Sequence, residues 1–235
     1  GHHLINTGLV HWLRFEDAGT LNYDSITGVA TGTLTYSPTY GTAIPTQDIS
    51  GFMGSALKTS KEDDSYYFIN IQPYQGQSLT IACFIKYVQS ETAGPKALFT
   101  FMSAPQNGYI YVQTNTDRSS IAFVTVNPAS ASTNVVQPGG DSNVWFHAAM
   151  TINCVIEGST CGDTSTFTLY YNGESILTDT FGTNFGQLYT EIVAGRQHSS
   201  PLCCYENHDN TVYVDDLRIY DRALSASEVA QLAAQ

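Results

Sequence analysis

The sequence predicts an all-β protein, a two-sheet antiparallel β-sandwich closed by one short C-terminal helix. Three observations lead there. About a dozen short apolar or alternating runs are separated by clusters of Gly, Asn, Pro, Ser and Thr. Helical periodicity is scarce before the last dozen residues. The composition is 42% hydrophobic and 12% aromatic with only 13% charged residues. A chain of 235 residues with that content can bury a sizeable core. No shift in composition marks a linker, so residues 1–235 are read as one domain. The opening Gly-His-His is left out of the fold reasoning.

The strands are expected at residues 8–15, 55–59, 65–70, 78–87, 96–102, 109–114, 120–126, 145–152, 166–171, 174–180, 191–196 and 212–220. Residues 78–87, S-L-T-I-A-C-F-I-K-Y, are apolar almost without break and read as a buried strand. In Y-I-Y-V-Q-T, alternation puts Tyr109 and Tyr111 on one face. Between the runs at 166–171 and 174–180 stands Asn172-Gly173. That pair suits a type I′ turn, which needs positive φ at both central residues. In V-Y-V-D-D-L-R-I-Y the apolar phase slips: Val212 and Val214 share one face, Leu217 and Ile219 the other. A bulge at Asp215-Asp216 would absorb the slip. The Ser/Thr-rich stretch Asn127–Asn134 reads as a loop. A helix is expected over 226–233, with Ser225 and Glu228 as a capping box and Leu224 and Val229 as a staple.

Charge narrows the function. Nine basic residues stand against 21 acidic, a net charge of −12. A nucleic-acid binder needs a basic footprint, and an anionic membrane surface would be repelled. No run reaches the ~20 apolar residues of a membrane-spanning helix, so no membrane insertion is expected. There are five cysteines. Cys154 and Cys161 bracket V-I-E-G-S-T, a turn short enough to bring two strand ends within disulfide range. Two free thiols are the alternative. Cys83, inside the buried run, reads as a core thiol, although it is also a partner for Cys203 or Cys204 if those two do not bond each other. His198, Cys203, Cys204 and His208 are metal-ligand types, but their spacing matches no structural zinc pattern.

The ending V-D-D-L-R-I-Y-D-R-A-L-S-A-S-E-V-A-Q-L resembles the closing strand and helix of laminin-G-like, concanavalin-A-like jelly-roll domains. G-L-V-H-W-L-R-F-E-D resembles the family's opening strand, D-S-I-T-G its first turn, and G-F-M-G-S-A-L-K the next strand. W-F-H-A-A-M-T-I and L-Y-Y-N-G-E resemble the later Trp-x-His strand and the Asn-Gly hairpin. The motifs stand in family order along nearly the whole chain. The resemblance implies a jelly roll. It also implies a calcium site joining the chain's two ends, at Glu16 or Asp17, the Gly54 carbonyl and Asp215. Calcium takes six to eight oxygens from carboxylates and carbonyls, which suits that set. The alternative is that Asp215 accepts turn amides while Asp216 pairs with Arg218 or Arg222. Glu62-Asp63-Asp64 reads as a solvated turn.

No enzyme is expected. Glycanases of this fold carry carboxylates two or four positions apart on one strand, and no Glu-x-Asp-x-Glu, Glu-x-Glu or Asp-x-Glu occurs here. Glu16-Asp17 and Asp215-Asp216 are adjacent and should face opposite ways. Sugars are gripped by aromatic faces and a few polar groups, which makes Tyr109, Tyr111 and Tyr205 the candidate ligand residues. Trp12 and Trp145 read as structural, and His147 as a buried, hydrogen-bonded histidine. The expected function is a secreted, extracellular carbohydrate-binding or adhesion module for a glycan or a matrix or surface protein. The alternatives are a self-associating subunit of an extracellular fibre or surface layer, and a glycan-cleaving enzyme of the same fold.

Overall fold

The computed structural model describes residues 5–17, 19–36, 43–60, 65–71, 77–89, 95–104, 108–115, 120–126, 133–138, 141–158, 160–180, 190–195 and 210–235. Strands are numbered in chain order. One sheet of eight strands holds β1 (Leu9–Leu13), β3 (Thr46–Gly51), β4 (Gly54–Thr59), β6 (Leu79–Val88), β11 (Phe146–Asn153), β14 (Thr166–Tyr171), β15 (Glu174–Thr180) and β17 (Thr211–Tyr220). Its order is β15-β14-β11-β6-β17-β4-β3, with β1 paired to β17 off that path. The second sheet has seven strands: β2 (Thr33–Tyr36), β5 (Ser65–Ile71), β7 (Ala97–Ala104), β8 (Gly108–Thr114), β9 (Ser120–Val126), β10 (Thr133–Pro138) and β16 (Thr190–Ala194). Its order is β10-β9-β8-β7-β16-β5-β2. Every pairing in both sheets is antiparallel. This is the expected two-sheet sandwich.

The core follows from period-two alternation. Ile81, Cys83 and Ile85 of β6 face the interior with Phe146, Ala148 and Met150 of β11. Ile110, Val112 and Phe123 meet them from the second sheet. The residues between them point outward. Ala82, Ala149, Tyr170 and Tyr220 form the seat for helix α1 (Ala226–Ala233), which covers them with Val229 and Leu232, joined by Leu224 just before the helix. The capping box at Ser225 and Glu228 forms as expected. Asn172 (φ 49°) and Gly173 (φ 84°) make the expected hairpin turn. Cys154 and Cys161 are joined by a disulfide that closes the small hairpin of β12 (Ile156–Glu157) and β13 (Thr160–Cys161). Cys83 is a buried free thiol.

The differences lie at the sheet edges. Besides the short β12 and β13, β2, β3 and β10 escape sequence reading because all three are edge strands, β3 and β10 of polar composition, T-Q-D-I-S-G and T-N-V-V-Q-P. β10 starts at Thr133, inside the stretch read as a loop. The first strand stops at Leu13 rather than running to residue 15, because Phe15 turns to φ 56° to drop its ring into the core.

Candidate functional site

The site arises from a change of partner along one strand. On one side β17 pairs with β6 both before and after a break at Asp216-Leu217. On the other side its first half pairs with β4, Val212 opposite Thr59 and Val214 opposite Leu57. Its second half pairs with β1, Leu217 opposite Leu13 and Tyr220 opposite Leu9. The handover falls at Asp215-Asp216. There the register with β6 slips and Asp216 adopts φ 52°. Val214 and Leu217 both face the core, so two residues in succession are left for the outer side. The bulge therefore brings both aspartates into one cavity. Adjacent residues of a regular strand would have faced apart, so that expectation fails here for a definite reason.

The cavity measures about 280 Å³. Its carboxylates are Glu16, Asp215 and Asp216, and its cations are Arg14 and Arg218. Trp12 of β1 and Met53 of the β3–β4 turn form the apolar wall, and Gln235 borders it. Asp216 is the anchor. Its Oδ1 accepts from Trp12 Nε1 at 2.5 Å and from Arg218 Nε at 3.1 Å, and its Oδ2 lies 2.8 Å from Arg218 Nη2. Arg218 Nη2 also donates to Gln235 Oε1 at 2.6 Å. The Arg14 and Arg218 guanidinium carbons lie 5.2 and 4.9 Å from the Trp12 ring centroid, within cation–π range. Burial raises the Asp216 pKa, with Arg218 and Trp12 opposing.

Asp215 is 1% exposed. Its Oδ2 accepts the Met53 amide at 2.8 Å and its Oδ1 the Asp216 amide at 2.7 Å. Burial nevertheless pushes its pKa up to about 6, and the neighbouring charges of Asp216 and Glu16 add to the rise. A buried carboxylate with like charges around it is a place where a cation is stabilising. Glu16 and Asp215 line the same cavity, and Gly54 packs against Glu16. A Cβ built at Gly54 (φ 102°) would lie 2.5 Å from Glu16 Oε1 and 2.8 Å from Oε2, so the carboxylate rests where only glycine leaves room. Asp17 stays outside: it is exposed, and its Oδ1 caps the Gly19 amide at 2.8 Å. Among the described residues no three His, Cys, Asp or Glu side chains converge on a metal position. The donor chemistry fits calcium in part, with two carboxylates, and the remaining oxygens would have to be carbonyls and water.

The other candidates fall elsewhere. Tyr109 and Tyr111 do share a face, but on the second sheet, packed with Ala97, Ala122 and Val124. They are 2% and 8% exposed, so neither ring is an open platform in this structure. Tyr205, Cys203, Cys204, His198, His208 and Glu62-Asp63-Asp64 lie outside the described residues. His147 is buried as expected, and its Nδ1 has no hydrogen-bond partner. It packs edge-on to Phe84, with ring centroids 5.0 Å apart, and burial together with the Arg218 charge lowers its pKa to about 3. Sequence reasoning passed over Arg14, Met53 and Gln235, named Arg218 only as a pairing partner for Asp216, which it is, and read Trp12 as structural only. The one available signal was alternation, which sets Trp12 and Arg14 on the same side of the first strand.

The chain belongs to the concanavalin A-like lectin/glucanases superfamily, whose laminin-G-type family model matches residues 60–230. Among curated protein sequences none matches it. Solved structures match in fold. Domain 4 of AbnA, an extracellular arabinanase from Geobacillus stearothermophilus in complex with arabinotriose, aligns at TM-score 0.64 and 18% identity, covering 96% of this chain and 98% of that one. The binding domain of Paraclostridial Mosquitocidal Protein 1 aligns at TM-score 0.63 and 15% identity over 96% of this chain. The binding domain of botulinum neurotoxin DC, in complex with rat synaptotagmin II, aligns at 0.62 and 14% over 97%. This chain spans about half of each toxin domain, 52% and 51%.

Proposed function

We propose that the chain is an extracellular, non-catalytic carbohydrate-binding or adhesion module, stabilised by one calcium ion that links its two ends. The observation that supports the binding role most is the sandwich shared, over nearly its full length, with an arabinotriose-bound domain and with toxin binding domains. For calcium the support is local: Glu16 from beyond β1 and Asp215 from β17 meet at one cavity, and Asp215 is too poorly compensated to ionise at its usual pH. The ion would add the missing positive charge there. Its partners would be glycans or glycosylated surface proteins.

One observation favours a second reading. The bulge puts Asp215 and Asp216 in the same cavity, both with raised pKa values, as a glycan-cleaving site would need. Their bonding argues against it. Asp216 is held by Trp12 and Arg218, and both Asp215 oxygens already accept backbone amides. A glycan array followed by a reducing-end assay on each retained glycan separates the readings. Retention without release is expected. Release of new reducing ends would make the protein an enzyme, and retention of nothing would end the carbohydrate reading.

A further inference from the structure

We infer that the cavity at the β17 handover is itself a glycan subsite, taking one neutral sugar ring. This rests on the carbohydrate-binding reading and adds a location and a ligand class. The ligand face expected from the sequence, Tyr109 with Tyr111, is buried. The cavity of about 280 Å³ lies near the small end of the roughly 300–1,000 Å³ range of small-ligand pockets, which is room for one ring rather than a chain of them.

The unused hydrogen-bonding capacity of its lining defines the ligand. Asp216 and Arg218 are spent on each other, on Trp12 and on Gln235. Arg14 is exposed, and among the described residues it forms no ion pair. Its guanidinium lies over the Trp12 ring, and its charge favours the ionised form of Asp216. That leaves a planar fork of N–H donors at the cavity mouth. Glu16 offers acceptors from the same lining, and the Gln235 amide nitrogen offers two more donors. Donors and acceptors converge beside an apolar wall of Trp12 and Met53. A sugar ring matches that arrangement, because its hydroxyls both donate and accept while its C–H face is apolar. An acidic sugar matches less well. It would approach a protein of net charge −12, still strongly negative with one calcium ion bound. Docking the sugar needs no movement of the Asp216 anchor.

Two-dimensional ¹H–¹⁵N NMR of the full chain in calcium tests this, with arabinotriose, galactose and galacturonic acid as probes. The chain has two tryptophans, so its two indole N–H signals are told apart by Trp145→Phe. At least one neutral probe should shift the Trp12 indole signal, and galactose should bind more tightly than galacturonic acid. Arg14→Ala, at an exposed position, should weaken the neutral probe at least tenfold, about 1.4 kcal/mol. Binding that is unchanged in Arg14→Ala, or that shifts Tyr109–Thr114 instead of Trp12, overturns the subsite and leaves the carbohydrate reading standing. Tighter binding of galacturonic acid overturns the ligand class. No shift with any probe, together with an empty glycan array, overturns both.

Discussion

Asp24 and His147 show how single buried groups set the acid limit of this fold. Asp24 is fully buried and accepts from the Trp12 amide at 3.0 Å, the Ile26 amide at 2.9 Å, Thr27 Oγ1 at 2.8 Å and His11 Nδ1 at 2.7 Å. Burial works to raise its pKa, but these bonds together hold it below 3.8. Its contribution is therefore full above pH ~4 and is lost as the pH falls through the lowered folded value. Asp24→Ala strands several donors and should cost about 3 kcal/mol in urea unfolding. His147 acts in a higher window. Its pKa is about 3 when folded against 6.5 when free, so the unfolded chain takes up a proton first. Stability should fall as the pH drops from about 6.5 towards 3, by several kcal/mol at most. His147→Gln should flatten that part of the profile. Asp215, raised to about 6, acts with the opposite sign in the absence of a cation, so both proteins must be compared at the same calcium level. Identical pH profiles for the two proteins would show that His147 is not the source.

At the scale of elements, the parts with local chemistry were legible in the sequence and those made by distant pairing were not. The α1 cap is local. Ser225 accepts the Glu228 amide, and Glu228 accepts the Ser225 amide at 2.8 Å and both Arg222 Nη groups. The Arg222 bond, with the Ser225 amide, holds the Glu228 carboxyl down to about 2. Ser225→Ala should cost about 1 kcal/mol in thermal or urea unfolding. The Asn172-Gly173 turn is equally local, and it also abuts α1: a Cβ at Gly173 would lie 3.0 Å from Ala230 Cα. The Cys154–Cys161 bridge closes a short loop, and replacing both cysteines by serine should cost about 2 kcal/mol by loop entropy. The edge strands β3 and β10 carry too little apolar pattern to be read. The site was half legible. Glu16, Gly54 and Asp215 followed from motif order, and the bulge from the slipped phase at Asp215. The change of partner from β4 to β1 joins residues some 200 positions apart, as in the Trp12–Asp216 bond, and no local pattern encodes it. Arg14 and Gln235 gain meaning only once that gap is seen.

At the scale of the molecule, a cation at Glu16 and Asp215 would join the strand that opens the described chain to the one that precedes its final helix. Such a site exists only in the folded state, so binding stabilises by mass action. With free calcium at ~100 times its dissociation constant, the gain should be about 2.7 kcal/mol, read as a rise in Tm that chelator reverses. Asp215→Asn should remove the calcium-dependent part while the fold remains. Equal Tm in calcium and in chelator would mean that Asp215 is only an acceptor for the Met53 and Asp216 amides. The central claim is that this strand handover, rather than the face of either sheet, is where the protein binds. A crystal grown in calcium and soaked with arabinotriose or an array-selected neutral glycan tests it most directly. The account predicts density for one sugar ring between Trp12, Arg14 and Glu16, with an ion at Glu16 and Asp215. Sugar density over the Tyr109–Tyr111 face of the second sheet, with the handover cavity filled only by water, would contradict it.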